Sequence, residues 1–136
     1  MKRLFNIIFL FIITLFIFVF SNVNVRAVQP LDRIDYYEIK INPRQDATLD
    51  MHFKITWVVL DSDYDGPLEW IKIGIPNYHV DEIIGLSDNI DSIKYYAEGG
   101  SYIRIDLDRR YYAGAILDIE FQIHQKRMYN LNKDFC

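Results

Sequence analysis

The chain has 136 residues, enough for one domain of ordinary size but not for two. Its 19 acidic residues outnumber 15 Lys and Arg, which gives a formal net charge of −4. This balance argues against nucleic acids and anionic membrane surfaces as partners, because no run of Lys and Arg is present to neutralise phosphates.

The first 27 residues have the composition of an export signal. A basic start, Met1–Arg3, precedes the apolar run Leu4–Phe20, and Ala27 ends a motif with the small residues that a signal peptidase reads. The apolar run is also close to the shortest length that spans a membrane, so an uncleaved anchor is the open alternative. Either way, we expect residues 28–136 to be exported and to lie in the cell envelope or at the membrane.

Short β-strands separated by turns are predicted from Ile34 onward. Ile34–Asn42 is an early candidate, and Thr48–Leu60 is the clearest, because apolar residues take every second position from Leu49 to Val59. Such alternation is typical of a strand with one buried face. A second sheet must cover that face.

The later part of the chain continues this pattern. Apolar residues alternate at Ile71–Ile75, Ile103–Leu107 and Leu117–Ile123, and a weaker candidate covers Ser92–Ala97. Gly99-Gly100 indicates a tight hairpin, and Tyr78–Asp91 is predicted to hold either an edge strand or one helical turn. These features predict an all-β fold, an immunoglobulin-like β-sandwich of about six to seven strands, behind the hydrophobic leader.

An Asp-rich loop follows the clearest strand. Asp61, Asp63 and Asp65 alternate and are followed by Gly66, like the opening of a calcium loop. The flanks are predicted strands and the twelfth position is Lys72, so an EF-hand is excluded. The alternatives are a weak hairpin-loop calcium site and an Asx-rich turn in which the aspartates accept local backbone N–H groups.

Aromatic residues provide a candidate ligand face. Trp70 falls in the opposite phase from Ile71, Ile73 and Ile75, so it is expected to point outward. Outward tyrosine rings beside it would complete a stacking surface for a sugar or a peptide. The alternative is ordinary sheet packing, since tyrosine is a favoured strand residue.

No catalytic motif is present in the sequence. The three histidines, His52, His79 and His124, lack the close spacing of zinc ligands, and no Gly-x-Ser-x-Gly motif occurs. We therefore predict a protein that is not an enzyme and that needs no cofactor, with calcium as the alternative.

Two segments carry a resemblance to a known family. Asp65–Asn77 and Tyr102–Asp106, followed by Ala113-Gly114, resemble the N-terminal extracytoplasmic β domain of uncharacterised membrane proteins from Gram-positive bacteria. Members of that family continue into further β structure and a C-terminal membrane segment. The resemblance therefore implies that a chain ending at Cys136, its single cysteine, is a truncated form of a longer protein.

Together these observations predict a binding or scaffolding module of a bacterial cell-envelope membrane protein. Its partner would be an envelope protein or a glycan, and it would be attached through the leader or through sequence beyond Cys136. The alternative is a calcium-stabilised adhesion domain or a carbohydrate- or peptide-binding domain.

Overall fold

The computed structural model describes residues 30–129, so the predicted leader, residues 1–27, and Cys136 lie outside the described part. Seven strands form its regular structure, in chain order β1 (Asp32–Pro43), β2 (Leu49–Val59), β3 (Leu68–Gly74), β4 (Val80–Gly85), β5 (Ile90–Tyr96), β6 (Tyr102–Tyr111) and β7 (Ile116–Gln125). The predicted all-β class and the number of strands are confirmed. In residues 30–129 there is no helix of the length and hydrophobicity needed to cross a membrane.

The strands form two antiparallel sheets. The four-stranded sheet has the order β1-β2-β7-β4, and the three-stranded sheet has the order β3-β6-β5. Buried side chains from both sheets belong to one continuous core, as in a β-sandwich. Between β3 and β5, Val80–Gly85 forms an edge strand, which decides between the two alternatives predicted for that region.

The strand order differs from that of an immunoglobulin domain. In the immunoglobulin constant type the first, second, fifth and fourth strands form one sheet, and the third, sixth and seventh form the other. Here the fifth and seventh strands are exchanged. A loop of five residues, 97–101, with Gly99 at φ 73°, joins β5 to β6 as a hairpin. Strand β7 pairs on both sides, with β2 and β4. The immunoglobulin-like type is therefore not confirmed.

The centre of the core is an aromatic pair from neighbouring strands. Phe53 of β2 and Phe121 of β7 are opposite each other in register, with ring centroids 4.5 Å apart and planes nearly parallel. Both side chains are fully buried, in one cluster with Ile103 and Ile105 of the other sheet. The alternation in Thr48–Leu60 thus marks a face that a second sheet covers, as predicted.

One buried polar side chain fixes the β3–β4 connection. Gln125, at the end of β7, is fully buried. Its Nε2 donates to the Asn77 side-chain oxygen at 2.6 Å, the Asn77 carbonyl at 3.2 Å and the His79 carbonyl at 3.1 Å. The same Asn77 side-chain oxygen accepts the His79 backbone N–H at 2.8 Å. Gln125 therefore ties the end of β7 to the β3–β4 connection.

Candidate functional site

Trp70 lies on the outer face of the three-stranded sheet. Its neighbours in β3, Ile71 and Ile73, point into the core, whereas Trp70 is 41% exposed. A register shift between Leu68 and Trp70 precedes it, and Trp70 is opposite Asp106 of β6. The structure thus places the side chain outward, as its phase in the sequence predicts.

Next to Trp70, three cations form a row across the same face. Lys72 of β3 is opposite Arg104 of β6, which is opposite Lys94 of β5. Neighbouring strands are about 4.8 Å apart, so the row brings three positive charges within about 10 Å at its base. Like charges directly opposite each other destabilise a sheet, so a row of this kind needs compensation from its surroundings.

Aromatic rings lie on both sides of the row. Tyr102 and Tyr96 are opposite each other on one side, and Lys72 Nζ lies 4.4 Å from the centroid of the Tyr102 ring. On the other side, the Arg104 guanidinium carbon lies 4.5 Å from the Trp70 ring. Cation–π attraction of this kind stabilises a cation without neutralising its charge. The rings therefore help to hold the row in place while it stays positive.

Asp106 provides the only carboxylate in direct contact with the row among the described ion pairs. Its carboxylate is 2.7 Å from Arg104 Nε and 3.3 Å from Lys94 Nζ, and it accepts a hydrogen bond from Ser92 at 2.8 Å. Burial raises the pKa of Asp106, but hydrogen bonds from Arg104, Ser92 and Lys94 outweigh burial and hold the pKa below its usual 3.8. Three cations against one carboxylate leave the row positive.

We name this surface the cationic face and define it by Trp70, Lys72, Lys94, Tyr96, Tyr102 and Arg104. A cavity of about 300 Å³ adjoins it beside Trp70 and is also lined by Arg109 and Arg110. Arg110 is paired with Glu69 at 2.6 Å, whereas Arg109 lies over the ring of Tyr111. The face therefore combines positive charge, exposed ring surface and a groove.

The cationic row was missed by the sequence analysis, which found no cluster of Lys and Arg. Lys72, Lys94 and Arg104 are far apart in the chain and belong to three different strands. Each of the three lies in the outward phase of its strand, and this phase was the only sign of the row in the sequence. Only the pairing register brings the three together, because register decides which outward residues are neighbours.

Calcium binding at the Asp-rich loop, residues 61–66, stays a prediction. Within residues 30–129, no three His, Cys, Asp or Glu side chains are grouped so that they could hold a metal ion. Asp61 accepts the backbone N–H of Asp63 at 2.8 Å, which is the Asx turn considered as the alternative. Asp61 and Asp65 also line a cavity of about 480 Å³, on whose wall Trp70 lies.

The lowered pKa of Asp106 predicts a pH dependence of stability. The ionised form is favoured in the folded state, so its contribution is complete above the ordinary value of 3.8 and is lost as pH falls through the lower folded value. At pH 7, Asp106→Asn should lower the free energy of unfolding by on the order of 1 kcal/mol. Urea unfolding should show this difference shrinking as pH falls from 7 to below 3.8. If Asp106→Asn lost the same free energy of unfolding at pH 7 and at acidic pH, a stabilising Asp106 carboxylate would be contradicted.

Comparison with known proteins gives no match: no protein family, no curated protein and no solved structure matches this chain. The resemblance carried by Asp65–Asn77 and Tyr102–Asp106 therefore stays a prediction. Fold class and site geometry are the observations on which a function can be proposed.

Proposed function

We propose that this chain is an exported binding module of a bacterial cell-envelope protein, without catalytic activity, and that its cationic face holds an anionic polysaccharide. The observation that carries the proposal is the row Lys72–Arg104–Lys94 with aromatic rings on both sides. The export signal predicted in residues 1–27 supports the location, and the resemblance to an extracytoplasmic domain supports the envelope.

The chemistry of the face fits a polymer that has both charge and ring surface. Ammonium and guanidinium groups donate charge-assisted hydrogen bonds to carboxylate or phosphate oxygens. The apolar C–H face of a sugar ring can pack on Trp70, whose rigid aromatic side chain is exposed. Lys72 has no carboxylate within ion-pair distance among the described residues, so it is available to an anionic ligand.

The charge of the whole chain favours a polysaccharide over a nucleic acid. A nucleic acid duplex has one charge per about 1.7 Å and is bound mainly through many phosphate contacts. The cationic face is one short row on a protein of net charge −4, so the longer-range field repels a dense polyanion. A polysaccharide with one carboxylate per sugar is less densely charged and meets less of this repulsion.

Titration with polygalacturonate, a polysaccharide with a carboxylate on each sugar, tests the proposal by calorimetry. We expect binding that weakens as salt is raised, since surface charges are screened. The double variant Lys72→Gln/Lys94→Gln should bind at least tenfold more weakly. Lys54→Gln, which removes a cation from the outer face of the other sheet, is the control and should bind like the unchanged chain.

Two further ligands define what would contradict the proposal. Fully methyl-esterified polygalacturonate keeps the sugar rings but loses the charge, so equal binding to it would show that the cations are not used. Tighter binding of single-stranded DNA than of polygalacturonate would reassign the ligand class. Unchanged affinity in the double variant would exclude the cationic face as the site.

A further inference from the structure

β1 is a long strand at the edge of the four-stranded sheet. It has 12 residues and pairs with β2 along one side only. Its other side has no strand partner within residues 30–129. A long edge with unpaired backbone N–H and C=O groups is a template for pairing with another chain.

The inward phase of β1 is apolar but uncovered. Tyr37, Ile39 and Ile41 are opposite the buried residues Ile55, Phe53 and Met51 of β2, yet they are 46%, 37% and 53% exposed. The three-stranded sheet is one strand narrower than the four-stranded sheet that contains β1. Its strand β5 packs beside β4, at the edge of the sandwich away from β1. β1 is therefore left without cover.

The outward phase of β1 carries two opposite charges that flank Ile39. Glu38 and Lys40 are one residue before and one residue after it, with a 3.1 Å ion pair between them. If two β1 strands pair antiparallel with Ile39 opposite Ile39, each Glu38 is opposite Lys40 of the second copy. On the inward side, Tyr37 is then opposite Ile41 of the second copy, so apolar side chains meet as well.

We propose that β1 is an interface between two copies of this chain, which pair antiparallel about Ile39. The neighbouring two-fold registers are disfavoured, because centring on residue 38 places Glu38 opposite Glu38 and centring on residue 40 places Lys40 opposite Lys40. A register shifted by a single residue would place inward side chains opposite outward ones. The charge pattern thus favours the register centred on Ile39 over these neighbouring registers.

This pairing has a consequence for the surface of the dimer. A two-fold axis perpendicular to the joined sheet leaves both three-stranded sheets on the same side of it. Two cationic faces then point in one direction. A polymer with repeated anionic groups could contact both, which would increase avidity without any new contact within one copy. The interface involves β1 alone and does not depend on the ligand.

Charge reversal in β1 tests the interface, with analytical ultracentrifugation of the full chain as the measurement. Reducing conditions prevent a disulfide between two Cys136 residues from contributing to the dimer. We expect a concentration-dependent dimer. Lys40→Glu places like charges opposite each other at two positions of the interface and should raise the dimer dissociation constant at least tenfold. The exchange Glu38→Lys/Lys40→Glu restores opposite charges across the interface and should restore dimerisation.

Lys72→Glu, on the cationic face, is the control for charge alone and should leave the dimer unchanged. Circular dichroism of each variant shows whether the β fold is kept. A monomer at all concentrations would overturn the proposal and leave β1 to a different partner chain. A dimer that tolerates Lys40→Glu, or that the double exchange fails to restore, would equally overturn it.

Discussion

Replacing Phe121 by alanine should lower the free energy of unfolding by about 3–5 kcal/mol. The side chain is fully buried at the centre of the sandwich and stacks on Phe53 of the neighbouring strand. Its removal loses the transfer free energy of a large ring and leaves a cavity that both sheets would have to close. A domain of this size is typically stable by only about 5–15 kcal/mol, so the loss is a large part of the total.

Urea unfolding followed by circular dichroism measures this loss. Ile116→Ala is the matched control, because Ile116 belongs to the same strand but is 65% exposed. It should change the free energy of unfolding by less than about 1 kcal/mol. Similar losses at residues 116 and 121 would contradict the packing described for β7.

The second large effect is expected for Gln125→Glu, which should destabilise the fold by about 3 kcal/mol or more at pH 7. The Gln125 amide N–H groups donate to three acceptors on Asn77 and His79. A carboxylate at this position would face those oxygens without a donor, buried away from water. The β3–β4 connection would lose its anchor.

The sign of the pH dependence separates this mechanism from simple loss of packing. Burial and the facing oxygens should raise the pKa of the introduced carboxyl above its usual value. The destabilisation is then complete above the raised pKa and is relieved as pH falls below it, where the group is neutral and can donate. Gln125→Met removes the donor without adding a charge, so its smaller loss should not change between pH 7 and pH 5. Equal pH responses of the two variants would contradict the account.

Strand positions in this protein could be predicted from the sequence because they depend on local alternation. Every second side chain is buried in β7 and in β2 from Leu49 to Ile55, and this period of two is visible in the sequence itself. The turn at Gly99 was also predictable, because glycine adopts positive φ without strain. The Asx turn at Asp61 was one of two alternatives, since the same spacing of carboxylates serves a turn or a cation.

Only the tertiary structure decided three features: the order of the strands, the cationic row and the exposure of the inward side chains of β1. Alternation shows which side of a strand is buried, but it does not show which strand lies beside it. The neighbours of Arg104 come from strands on both sides of β6, and the exposure of Ile39 depends on where the opposing sheet ends. Both are non-local properties, because pairing register and the relative extent of the two sheets result from contacts between residues far apart in the chain.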